Sequence, residues 1–173
     1  MLSRHGRERL FKCVDRLHAN GGRVFFDNNF RARLWTEGLA DARWWYDRAF
    51  GACDLAMITL DDNQALYELP DDESAIRHAC SLPPGEVVIK RGADETLVRV
   101  PGKDVISVPA FPVAKVVDTT GAGDSFAGGY LAARLQGQNP EVSARCGNKI
   151  ASIVIQHSGA IIPREAMPVF FFA

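Results

Sequence analysis

Leu10, Phe11, Val14 and Leu17 recur at helical spacing and are followed by Ala19-Asn20-Gly21-Gly22, so the pattern predicts an amphipathic helix over Ser3–Ala19 with a glycine stop. Arg23-Val24-Phe25-Phe26-Asp27 then predicts a buried strand. A helix over Glu37–Ala49, a strand over Asp54–Ile58, a helix from Asp62, a helix over Asp71–Cys80 and a strand over Glu86–Lys90 follow in turn. Strands alternating with helices predict βαβ units and a mainly parallel sheet covered by helices on both faces, an α/β fold.

Beyond Lys90 the apolar runs shorten. Thr96–Val100 and Asp104–Val108, joined at Pro101-Gly102, predict a β-hairpin, and Lys115–Asp118 predicts a further strand. Helices are expected over Asp124–Leu135 and from Pro140 to about Gln156, with Pro140 in a first turn that needs no amide hydrogen. The chain has neither an internal repeat nor a low-complexity linker, and 173 residues at 47% hydrophobic composition suffice for one core, so a single domain is expected.

Charge and cysteine content narrow the function classes. Twenty basic residues are interspersed with 21 acidic ones for a net charge of −1, which disfavours nucleic acid and anionic lipid as partners. Cys13, Cys53, Cys80 and Cys146 stand far apart, as expected of buried thiols in a reducing compartment, and the four histidines have no metal-ligand spacing. The charged opening MLSRHGRERL does not read as a signal peptide, and VFFFA at the end is too short to cross a membrane. These features predict a cytoplasmic protein acting on small molecules. The tryptophans Trp35, Trp44 and Trp45 are expected in packing roles.

The chemistry concentrates in DTTGAGDSFAGGY, Asp118 to Tyr130. A strand, a glycine turn and a helix leave backbone N–H groups unpaired at the positive end of the helix dipole, where an anion is stabilised. Gly121 and Gly123 permit positive φ and close backbone approach. Phe126 occupies the place of a third glycine in the dinucleotide fingerprint, which argues against a dinucleotide-dependent oxidoreductase, and Asp124-Ser125 occupies the place of the P-loop Lys-Ser/Thr pair. A carboxylate in a phosphate site fits a general base toward an attacking hydroxyl; the alternative is that Asp124 only caps its helix.

DTTGAGDSFAGGYL resembles the second signature of the ribokinase-like (PfkB-type) carbohydrate kinases. The resemblance implies that Gly121, Ala122 and Gly123 form the anion hole for the transferred phosphoryl of ATP and that Asp124 deprotonates the sugar hydroxyl. It also implies that Asp118 and Thr120 help hold a monovalent cation such as K+. VVIKRGADETLV resembles the strand and turn under the nucleotide, which assigns Lys90, Arg91 and Gly92 to ATP; solvated charges at a strand end are the alternative for Lys90 and Arg91. Asn148 corresponds to a contact near the nucleotide base. Thr59–Asp62, Thr-Leu-Asp-Asp, stands where the family has Asn-x-x-Glu serving Mg2+ and phosphate, so Thr59 falls in the ATP site and Asp62 is a candidate to orient Mg2+-bound water; Asp62 as a helix N-cap is the alternative.

The stretch Phe26–Trp35 follows the first predicted strand at its carboxyl end, where open α/β sheets bind ligands, and carries Asn28, Asn29, Arg31 and Arg33. A guanidinium pairs with a carboxylate through two parallel charge-assisted bonds, which points to an acidic sugar. This stretch and GAIIPREAMP resemble segments of 2-keto-3-deoxygluconate kinases, in which the arginine matching Arg31 contacts the sugar acid; Asn29 and Arg31 are the substrate candidates, and Arg33 reads as a surface charge. The implied reaction is ATP-dependent phosphorylation of 2-keto-3-deoxygluconate at the 6-position. The resemblance spans only about the second half of a family member, so the amino-terminal part of the fold is expected to be absent, with an exposed sheet edge that favours association, including homo-oligomers. A catalytically silent nucleotide-binding fragment and a kinase for a neutral sugar are the competing readings.

Overall fold

A computed structural model describes residues 3–168, and VFFFA at the end lies outside the described residues. The chain divides into two compact units: residues up to Ile89 with Val100–Gly102, and Lys90–Arg99 with the residues from Lys103 onward.

In the first unit, helix α1 (Arg4–Ala19) begins where the Ser3 hydroxyl accepts the Gly6 N–H at 3.2 Å. Strand β1 (Phe25–Asp27), helix α2 (Leu39–Gly51), strand β2 (Leu55–Thr59), helices α3 (Leu60–Tyr67) and α4 (Asp72–Ser81) and strand β3 (Glu86–Lys90) follow. β1 and β2 are parallel with Phe25 opposite Leu55 and Asp27 opposite Met57, and the strand order is β1-β2-β3. Phe50, Met57, Ile58, Leu66, Val87 and Val88 are buried and form the core. Unbroken burial along Leu55–Ile58 and Glu86–Ile89 is the signature of strands covered on both faces.

Several expectations are corrected here. β1 spans three residues at the edge of that order and is not a buried strand: Phe25 is exposed, and Phe26 and Asp27 are half-buried. On α1, Phe11 is buried while Leu10 and Leu17 stay exposed. Helix α3 starts at Leu60 with Thr59 as its N-cap, so Asp62 lies inside the first turn and does not cap it. Trp45 is buried, but Trp44 is exposed. The cysteines are free thiols, of which Cys53 and Cys146 are buried and Cys13 is exposed.

In the second unit, strands β4 (Thr96–Arg99) and β5 (Ile106–Val108) pair antiparallel with Thr96 opposite Val108. Helices α5 (Ala122–Leu135) and α6 (Pro140–Val154) pack closely: a β-carbon on Gly129 would lie 2.8 Å from the Ile150 side chain, and one on Gly147 would lie 2.8 Å from Phe126. Asn139 caps α6 by accepting the Val142 N–H at 2.9 Å, with Pro140 in the first turn. Lys115–Asp118 is not a strand. The N–H groups of Val117 and Asp118 donate to the Ile155 carbonyl at the end of α6, and Val116 and Val117 remain half exposed, so two β-branched residues without a neighbouring strand make a connector.

Candidate active site

The loop that opens α5 is held from both ends. One oxygen of Asp118 accepts the Thr120 N–H at 2.9 Å and the other accepts the Gly159 N–H at 2.8 Å. Thr120 first and Gly159 after it hold the Asp118 carboxyl below the usual carboxylate range. Gly121 then turns the chain at φ 77°, and a β-carbon there would stand 2.8 Å from that of Ala160. Glycine is therefore required twice at this position, by backbone conformation and by space. The part played by Gly159 and Ala160 carries no local signal, since they act from 38 or more residues away in the chain.

The amides at this helix start divide into two sets. Ala122 donates to the Thr119 carbonyl at 3.1 Å, and Ser125 donates to the Gly121 carbonyl at 2.8 Å. Among the described residues, the N–H groups of Gly121, Gly123 and Asp124 donate to no backbone or side-chain acceptor. Ala122 thus leaves the expected donor set, because its amide closes the turn. The Asp124 side chain, on the first turn of α5, is exposed.

Lys90, at the end of β3, brings its ammonium to this turn: Nζ lies 3.3 Å from where a β-carbon on Gly123 would stand. A cation at a helix N-terminus has the wrong sign for the dipole, and an anion held between the two would be stabilised by both. The other nucleotide candidates are placed differently. Arg91 donates to Glu95 at 2.6 Å and lies 3.9 Å from Asp94, with its side chain only 15% exposed, so its charge is committed within its own turn. Gly92 forms that turn at φ 65°, exposed and without a close neighbour. Asn148 is buried and internal: its Oδ1 accepts the Thr96 hydroxyl at 2.9 Å, and its Nδ2 donates to the carbonyls of Val108 at 3.3 Å and Pro109 at 3.1 Å. Its amide braces the β4–β5 pair.

The first unit holds the second cluster. Asn28 is buried and joins the ends of β1 and β2, accepting the N–H groups of Asn29 at 2.8 Å and Thr59 at 2.9 Å and donating to the Thr59 carbonyl at 3.3 Å. Asn28 and Thr59 therefore shape the loop and do not face a ligand through these groups. Asn29 is exposed at φ 28°. Asp62 accepts the Phe30 N–H at 3.1 Å and lies 3.3 Å from Arg31 Nη1, while the same Nη1 donates to the Phe30 carbonyl at 2.8 Å. Arg33 is exposed. A groove of about 280 Å³ adjoins Asn29 and is lined by Trp35, Trp45 and Tyr46. Burial first, and the charge of Asp62 after it, push the Tyr46 phenol up to about 12.

The metal assignments fit less well. The Asp62 carboxylate already faces a guanidinium, and each Asp118 oxygen accepts one amide, so Asp118 braces the loop through Thr120 and Gly159. Among the described residues no group of three His, Cys, Asp or Glu side chains converges on a metal position, and no helix is long and apolar enough to cross a membrane.

The chain has counterparts in sequence and fold. The chain is 46% identical over 170 residues to the 2-dehydro-3-deoxygluconokinase of Escherichia coli (strain K12), covering 97% of this chain and 55% of that relative. It is 48% identical over 172 residues to the 2-dehydro-3-deoxygluconokinase of Dickeya dadantii (strain 3937), covering 97% and 54%. Among solved structures, the fructokinase from Vibrio cholerae O395 with fructose, ADP and calcium ion bound matches at a TM-score of 0.80 and 27% identity over 91% of this chain and 52% of that one. A putative ribokinase II from E. coli in complex with ATP and Mg2+ matches at 0.77 and 26% over 92% and 50%. The mixed, mostly parallel sheet with its helices is thus the ribokinase-like fold, and the chain spans about half the length of the curated relatives it matches. Residues 1–167 match the model of the pfkB family carbohydrate kinases, and the chain belongs to that family.

Proposed function

We propose that this chain serves ATP-dependent phosphorylation of a sugar acid, 2-keto-3-deoxygluconate, at its 6-hydroxyl, in the cytoplasm. The observation that carries the reading is the helix start where the amides of Gly121, Gly123 and Asp124 are unpaired and Lys90 overhangs Gly123. In this reaction the sugar oxygen attacks the γ-phosphorus of ATP, the bond to the β-phosphate oxygen breaks, and ADP leaves. Asp124 takes the hydroxyl proton as the new bond forms. The three amides and Lys90 stabilise the charge on the moving phosphoryl, a contribution that is largest when the donors are already in place. Arg31 receives the substrate carboxylate. Mg2+ bound with ATP would neutralise phosphate charge.

Two similarities support the substrate class: the relatives at 46% and 48% identity are 2-dehydro-3-deoxygluconokinases, and Arg31 exposes half of its side chain. The shared length of about half a relative favours a second reading, in which the chain holds ATP without turning over on its own. Calorimetry with ATP, together with a coupled assay of ADP release, separates the two. Asp124→Asn is expected to lower turnover about 100- to 10,000-fold while leaving ATP affinity nearly intact. Unchanged turnover removes Asp124 from the mechanism, ATP binding without any turnover selects the second reading, and faster turnover on ribose or fructose than on the sugar acid corrects the substrate.

A further inference from the structure

The Phe30–Arg31 turn is anchored to α3 by one carboxylate. Asp62 is on the first turn of α3, and its side chain is 20% exposed against 50% for Arg31. One of its oxygens accepts the Phe30 N–H at 3.1 Å, and both lie within 3.4 Å of Arg31 Nη1. That nitrogen also donates to the Phe30 carbonyl at 2.8 Å. A single nitrogen of the fork thus carries all the described bonds of the Arg31 side chain, and Nε and Nη2 donate to nothing among the described residues. A guanidinium in free solution samples many rotamers, and fixing one nitrogen from behind aims the other two.

We infer that Asp62 is a positioning residue for Arg31: it holds Nη1 inward so that Nε and Nη2 present a preformed two-pronged receptor for a carboxylate. The sequence resemblance gives Asp62 a different task, at Mg2+-bound water, and the distances do not favour that task. The inference rests on the sugar-acid reading for the identity of the anion, but the positioning itself does not depend on it. Two opposing effects are at stake. The negative charge of Asp62 repels an incoming carboxylate, whereas its bonds remove the cost of ordering Arg31; for a half-exposed pair the Coulomb effect is small and screened, so ordering dominates.

The test uses Asp62→Asn in the full chain, a change that preserves an acceptor for the Phe30 N–H and removes the charge facing Arg31. Binding of 2-keto-3-deoxygluconate, measured by calorimetry, is expected to weaken about three- to tenfold, with ATP affinity unchanged, and Arg31→Ala is expected to cost less in the Asp62→Asn background than in the unmodified chain. Binding that is unchanged or tighter in Asp62→Asn overturns the inference, as does strict additivity of the two substitutions. A ligand-free measurement keeps it decidable if the unmodified chain fails to bind the sugar acid, an outcome that counts against the sugar-acid reading alone. Rotation about the Cζ–Nη1 bond of Arg31 is expected to be slow, with a resolved Nη1 signal, in the unmodified chain, and that signal is expected to merge with those of solvated arginines in Asp62→Asn; a signal that does not move overturns the positioning role.

Discussion

The Lys90 ammonium lies over Gly123, 3.3 Å from the point where a β-carbon would stand, so a positive side chain lies beside the positive end of α5. An anion held there would be stabilised by both. Lys90→Ala is expected to weaken ATP binding about tenfold or more, the magnitude of a lost charge-assisted bond, and Lys90→Met, which keeps the aliphatic stem, is expected to weaken it as much. The dissociation constants of the two variants, taken at two salt concentrations, check this; values within twofold of the unmodified chain would remove Lys90 from the site.

Asn148 has its amide in three bonds to Thr96, Val108 and Pro109. Asn148→Ala strands a buried hydroxyl and at least one carbonyl, and a loss of about 3 kcal/mol is expected, roughly 6–12 °C in Tm for a chain of this size. ATP affinity, measured well below that Tm, is expected to stay within about twofold. A variant with unchanged Tm and lost ATP binding would return Asn148 to the nucleotide.

His78 makes stability depend on pH. Its ring lies 4.1 Å, centroid to centroid, from that of Tyr67, and its Nδ1 is buried without a hydrogen-bond partner. Burial lowers its pKa below the ordinary 6.5, against a smaller opposing pull from Asp47. The folded chain therefore binds a proton less readily than the unfolded chain, so the contribution is fully present above pH 6.5 and is lost as the pH falls toward the lower folded value. Urea midpoints measured between pH 7.5 and 5.5 should fall more steeply for the unmodified chain than for His78→Phe, and parallel slopes would contradict this.

The elements and the glycine loop were legible because their signals are local. Apolar spacing located α2, β2, β3, α5 and α6 to within a few residues, and Gly121 marked a turn that no other residue fits. What stayed hidden depends on partners distant in the chain. Asn148 looks the same in sequence whether its amide meets a nucleotide or Thr96, 52 residues earlier. Asp62 reads as a candidate for Mg2+-bound water, or as a cap, until Arg31 is seen beside it. An apolar run also carries no mark of sheet position, so β1 was expected to be buried although Phe25 is exposed. Val116 and Val117 have strand propensity, yet the Ile155 carbonyl takes the amides of Val117 and Asp118.

The account stands on the amides at the start of α5, and an amide-resolved NMR titration of the 15N-labelled chain with Mg2+-ATP tests them most directly. The resonances of Gly121, Gly123 and Asp124 are expected to move downfield together, saturating at one dissociation constant, while Ala122, whose amide is bound to Thr119, moves little. Saturating ATP that leaves these three signals in place while shifting others would contradict the claim that this turn holds the phosphoryl group.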